Sequence, residues 1–203
     1  MAKIDLKREL VDLYKAPREP VLLDVPSLTY AMVDGTGSPN DNEWFEEAVG
    51  ALYAVSYTLK FKLKRGPRAM DYVVMPLQGL WWAEDMDVFV LDKRDDWLWT
   101  LMILQPDEVT KDVFEEACQE VLDKKGLEAV GQIRLETYHE GPSAQVMHIG
   151  PYADEAPTIA CLHEFIHDSG RSPRGKHHEI YLGDPRHTAP ERLKTILRQP
   201  VDA

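Results

Sequence analysis

The chain has 203 residues, 44% of them hydrophobic, and a formal net charge of −12. That is enough apolar material for a sizeable core, and too acidic a surface to track a nucleic-acid backbone or an anionic membrane, so a neutral or cationic small molecule is the expected partner. Two cysteines without metal-ligand spacing, no apolar run near the ~20 residues of a membrane span and no leader-like N-terminus make the expectation a cytoplasmic protein with reduced thiols and no cofactor.

Residues 1–15 alternate charged and apolar side chains, as a short amphipathic helix or arm does. Residues 28–33 read as a strand running into Gly35-Thr36-Gly37, where glycines permit a tight turn. Asn40 to Asn42 offer N-caps for a helix whose apolar stripe is Trp44, Ala48, Leu52, Val55 and Leu59, closed by Gly66-Pro67. Residues 72–82 and 97–105 are β-rich and aromatic, separated by the acidic residues 83–87, a short run at 88–91 and a polar turn at 92–96. Thr110 caps a second helix with Val113, Phe114, Ala117 and Val121 inward, ending at Lys124-Lys125-Gly126.

Residues 134–139 and 144–149 flank Glu140-Gly141-Pro142 and read as a hairpin. Gly150-Pro151-Tyr152 then turns the chain into a third helix over 154–168, followed by a strand carrying Glu179. The order strand, glycine turn, helix, strand thus occurs twice, at Gly35 and again at Gly150, with little identity between the copies. Such duplication suggests two halves, 20–107 and 130–185, linked by the helix at 110–125 within one domain over 1–203, with a cleft at their junction.

Glu179 is the candidate centre of function. It lies in an apolar, β-favouring run, with Tyr181 on its own strand face and Ile180 and Leu182 on the other. A buried carboxylate there must be paired, protonated or given a task; the alternative is a half-exposed strand with Glu179 in solvent. Trp82, with Leu80 and Gln78 on its face, is a candidate to stack on a planar ligand, Trp81 pointing the other way. Trp97 and Trp99 share a face and either line the cleft or plug the core. Tyr138 and His148 are further candidates to contact a ligand, and Tyr152, at the head of the third helix, is a candidate hydrogen-bond donor to a developing negative charge.

The glycine-turn phrase MHIGPYADEAPT, the tail HHEIYLGDPRHTAPERLKTILRQPV, and PLQGLWW and WTLMILQPD together resemble the GyrI-like small-molecule-binding domain family, over essentially the whole chain. The resemblance implies an α+β fold of two βαββ halves with pseudo-two-fold symmetry around a central cleft, as in multidrug effector-binding domains. It also implies an acidic residue among aromatics that meets flat, often cationic ligands, a position Glu179 matches. Stand-alone relatives resembling this chain hydrolyse cyclopropane-bearing DNA-alkylating compounds, which would make Glu179 the base and Tyr152 or Tyr181 the donor. Drug sequestration without turnover, and partner binding like that of a gyrase inhibitor, are the alternatives.

One competing motif remains. His163-Glu164-Phe165-Ile166-His167 fits the zinc-hydrolase pattern H-E-x-x-H. The inward stripe Ile159, Leu162, Phe165 and Ile166 turns Glu164 to solvent, however, and Pro173 stands where an extended form places a third histidine.

Overall fold

A computed structural model describes residues 3–67, 69–84 and 96–202. The acidic stretch from residue 85, the run at 88–91 and most of the turn at 92–96 lie outside them. The elements in order are α1 (Leu6–Glu9), α2 (Val11–Tyr14), β1 (Val21–Thr36), α3 (Glu43–Arg65), β2 (Leu77–Trp82), β3 (Leu98–Leu104), α4 (Lys111–Lys125), β4 (Arg134–Ile149), α5 (Ala156–Asp168), β5 (His177–Tyr181) and β6 (Lys194–Pro200).

The six strands close into an all-antiparallel barrel in the order β1-β3-β2-β5-β6-β4. The arrangement β1-α3-β2-β3 is repeated as β4-α5-β5-β6, and like strands meet at both seams, β1 with β4 and β2 with β5. This is the α+β fold of two βαββ units that the sequence implies.

Helix ends follow their local chemistry. Asn42 caps α3 by accepting from the Phe45 amide at 3.0 Å, and Thr110 caps α4 by accepting from the Val113 amide. Gly126, at φ 62°, ends α4 in the left-handed region that favours glycine. Ala48, Leu52, Val55 and Leu59 are fully buried where α3 lies on β1 and β3, while α5 covers β4 and β6 through Leu162 and Ile166 against Val146 and Leu197. α4 packs beside α3 and joins the halves.

Two expectations are corrected. The hairpin at 134–149 is one continuous strand: both segments pair with β1, from Met32↔Arg134 to Val21↔Gln145. Gly141, at φ 71°, kinks this strand without reversing it, because the long β1 template holds both sides. The stretch 72–82 forms a strand only from Leu77; Tyr72 bridges Ile4 of the N-terminal arm instead. Beyond these, residues 194–200, given no element from sequence, form β6, which pairs with β4 and β5 and closes the barrel.

The barrel interior is filled by a polar network. Glu140 lies 3.0 Å from His178 Nδ1 and accepts from Arg198 Nη1 at 3.2 Å; Arg198 also donates to Gln145 and to the Leu13 carbonyl, and His178 Nε2 meets Gln78 at 3.0 Å. Gln78 in turn meets the Tyr14 hydroxyl, so the N-terminal arm is tied to the network. Burial pushes the Glu140 carboxyl up, but His178 and Arg198 hold it down at about 2. The charges of this plug are fully paired with one another and with neighbouring polar groups.

Candidate functional site: an acidic aromatic face between the two helices

Register decides what shares the outer face. Gly79 is opposite Glu179, and Trp81 opposite both His177 and Trp99, so the residues flanking the β2–β5 seam point the same way. The Glu179 side chain is 15% exposed, neither sealed nor in bulk water. Tyr181 donates to Glu179 Oε2 at 2.7 Å, and Trp81 Nε1 donates to the Tyr181 hydroxyl at 3.0 Å. This chain of hydrogen bonds crosses β2 over Gly79. A Cβ there would lie 2.7 Å from Trp81 Nε1 and 3.1 Å from the Tyr181 hydroxyl, so only glycine leaves it room.

Aromatic rings surround the carboxylate. Phe45 of α3 stacks on Trp81 at 6.1 Å, and Trp97 meets Trp81 edge-on at 5.7 Å. On the other side Tyr152, 38% exposed, meets Tyr181 edge-on at 5.5 Å. Burial, with Glu155, Glu179, Asp184 and Tyr53 adding negative character, pushes the Tyr152 hydroxyl up to about 12. Burial and Glu179 push Tyr181 well above its usual value. Both tyrosines are therefore protonated donors at neutral pH, and the surrounding field favours a cation or an electron-poor ring.

A second carboxyl group belongs here. Glu155, at the start of α5, is 5% exposed, and its Oε1 makes no hydrogen bond. Burial and then Glu179 push it up to about 9, with Thr195 pulling slightly the other way. Burial beside a second carboxylate thus favours its protonated form. His177 Nε2 lies 3.6 Å from Glu179 Oε1, but burial, then His163 and His178, hold this ring down at about 3, so the contact is not an ion pair.

Of the sequence-predicted residues, Glu179, Tyr152, Tyr181 and Trp97 come together. Trp82 does not. It lies on the opposite sheet face, under Lys176 Nζ at 3.4 Å, because strand alternation puts Trp81 beside Glu179. Trp99 is fully buried, edge-on to Phe45 at 5.2 Å and tight over Gly35, and is core. Tyr138 belongs to the interior with Glu140. His148 gives its ring nitrogens to Thr158 at 2.9 Å and the Pro151 carbonyl at 3.3 Å, pinning the turn that carries Tyr152. His163, Glu164 and His167 are exposed on α5, His167 with a side chain 90% exposed, and among the described residues no group of three or more His, Cys, Asp or Glu side chains could hold a metal.

Sequence reading missed Trp81, Phe45 and Glu155. Counting strand alternation from Glu179 through its partner Gly79 reaches Trp81, but the pairing itself is tertiary information.

Two βαββ units closed into a barrel, with a carboxylate among rings on the outer seam, define a small-molecule-binding protein of the α+β class. Residues 18–202 match the family described as GyrI-like small molecule binding domain, and the chain belongs to that family. A conserved protein from Listeria innocua is 42% identical, with a TM-score of 0.91 over 98% of this chain and 100% of its own. A hydrolase from the same organism is 41% identical, with a TM-score of 0.89 over 99% of this chain and 100% of its own. The C-terminal domain of EcmrR, 11% identical, shares the fold, with a TM-score of 0.56 over 91% of this chain and 97% of its own. Comparison with curated proteins finds no match.

Proposed function

We propose that the seam between α3 and α5 takes a flat aromatic ligand, cationic or electrophilic, and hydrolyses strained cyclopropane rings in such compounds, a detoxifying reaction. One observation carries the reading: a partly exposed carboxylate, Glu179, is oriented by Tyr181 on a floor of aromatic rings. In the reaction Glu179 takes the proton of the attacking water, and Tyr152 hydrogen-bonds the carbonyl conjugated to the opening ring. Tyr181 is the orienting group, since its proton already goes to Glu179. Ring strain supplies driving force, so holding water and ring in line is the main demand on the protein. The similarity to a Listeria innocua hydrolase at 41% identity supports this reading.

The test incubates purified protein with a spiro-cyclopropane alkylator and follows addition of one water by mass spectrometry. Turnover that Glu179→Gln abolishes is expected. Absence of turnover, or a variant as fast as the parent, overturns hydrolysis; tight binding without turnover leaves sequestration as the function.

A further inference from the structure

Resting on the hydrolytic reading, we propose that Glu155 is the acid of this site, protonating the oxygen released by ring opening while Glu179 acts as its base. Glu155 is buried at the start of α5, and its Oε1 is without a hydrogen-bond partner, unusual for a carboxyl group that has no task. It lies close enough to Tyr152 and Glu179 to act on both electrostatically, and Thr195 is its polar neighbour on β6. Glu155 is the N-cap residue of the 13-residue α5, whose dipole favours the anion left after proton transfer. Two carboxyl groups in different surroundings, Glu155 buried and Glu179 partly exposed, form the acid and base pair that water addition requires.

Glu179 removes a proton as the water oxygen bonds to a ring methylene. The ring carbon–carbon bond breaks, and its electron pair moves through the conjugated system to the carbonyl oxygen. Glu155 gives that oxygen a proton. The product carries a new alcohol and a hydroxyl where the carbonyl was. The proton gained by Glu179 then passes to Glu155, which restores both groups.

The experiment compares kcat and KM of the parent, Glu155→Gln and Glu155→Asp from pH 6 to 11 with spiro-cyclopropane substrates whose product hydroxyls differ in acidity. A catalytic acid contributes roughly 10²- to 10⁴-fold, so Glu155→Gln is expected to lower kcat by about that factor with KM little changed. The loss shrinks for the substrate with the most acidic product hydroxyl. Parent kcat falls above pH about 9, where Glu155 ionises, whereas Tyr152, up at about 12, and Tyr181, held well above its usual value, remain protonated. The groups facing Glu155 are Glu179 on β5, Thr195 on β6 and Tyr152. Should Glu155→Gln fail to fold, the parent's alkaline limb and Glu155→Asp decide. Glu155→Gln with parental kcat, or a parent rate flat through pH 10, overturns the assignment of Glu155 and leaves hydrolysis standing. A parent without turnover overturns both.

Discussion

The Tyr181 hydroxyl donates to Glu179 Oε2 at 2.7 Å and accepts from Trp81 at 3.0 Å, so the carboxylate is held by a residue two positions along its own strand. Hydrogen bonds to charged groups contribute about 1.5–3 kcal/mol. Tyr181→Phe keeps the ring and removes that bond. Titration with a planar fluorescent cation is expected to show affinity within about threefold of the parent, because the aromatic floor is intact, while turnover falls at least tenfold, as a 1.4 kcal/mol loss implies. Equal losses in both would show that the bond serves binding alone.

Two glycines test how closely rings approach the sheet. At Gly35 a Cβ would lie 2.1 Å from the Trp99 ring, which is buried core, so Gly35→Ala is expected to destabilise by about 1–3 kcal/mol in urea unfolding. At Gly79 the added methyl meets the side-chain ends of Trp81 and Tyr181, which can shift. Gly79→Ala should therefore cost less stability than Gly35→Ala and more ligand affinity.

Three tryptophans should separate by role. Trp99→Ala costs about 3–5 kcal/mol of stability, as for a large buried ring. Trp81→Ala weakens binding of a flat ligand, because it removes the ring beneath the Tyr181 and Glu179 pair. Trp82→Ala, on the opposite face under Lys176, leaves ligand affinity unchanged. Isothermal titration and thermal melts of the three variants check all of this.

Stability should peak near pH 6.5 and fall on both sides. Glu155 keeps its proton up to about 9 in the fold but only to 4.5 in the unfolded chain, so stability drops as pH rises across that interval. His177 works in the opposite sense. It is held at about 3 against the usual 6.5, so stability drops as pH falls through that window, offsetting the Glu155 slope where the two overlap. His178 and His163, also held below 6.5 by burial, add to that loss and tip the balance. Glu140, held at about 2 against 4.5, steepens the loss on the acid side. Each group contributes up to about 1.4 kcal/mol per pH unit. Denaturant melts at half-unit steps should show the maximum, and Glu155→Gln should remove the alkaline decline.

The H-E-x-x-H motif should be silent. His167→Ala and Glu164→Gln alter side chains exposed on the far side of α5 from the sheet. Turnover and melting temperature are expected to match the parent's, with or without a chelator. A loss in either variant, or on chelation, would reinstate a metal-dependent reading.

Much of the fold was legible because its signals are local. The Asn42 and Thr110 caps, the Gly126 terminus and the buried stripe of α3 depend on spacing within a few turns, and each appears where spacing puts it. The duplicated order of elements was likewise visible around Gly35 and Gly150. The hairpin at 134–149 failed for the same reason that local reading elsewhere succeeds. Glu140-Gly141-Pro142 has turn composition, and only pairing with β1 from Val21 to Met32 makes it a kink.

By itself, the sequence determined the α+β class, the helix boundaries, and that Glu179 and Tyr181 share a face, because alternation along one strand needs no partner. Tertiary structure alone decided which tryptophan joins them. The choice of Trp81 over Trp82 follows from β2–β5 register, which brings together residues a hundred positions apart. It likewise decided that Glu155 is buried with its carboxyl pushed up, since desolvation and a neighbouring charge are set by what packs around a group and not by what precedes it in the chain.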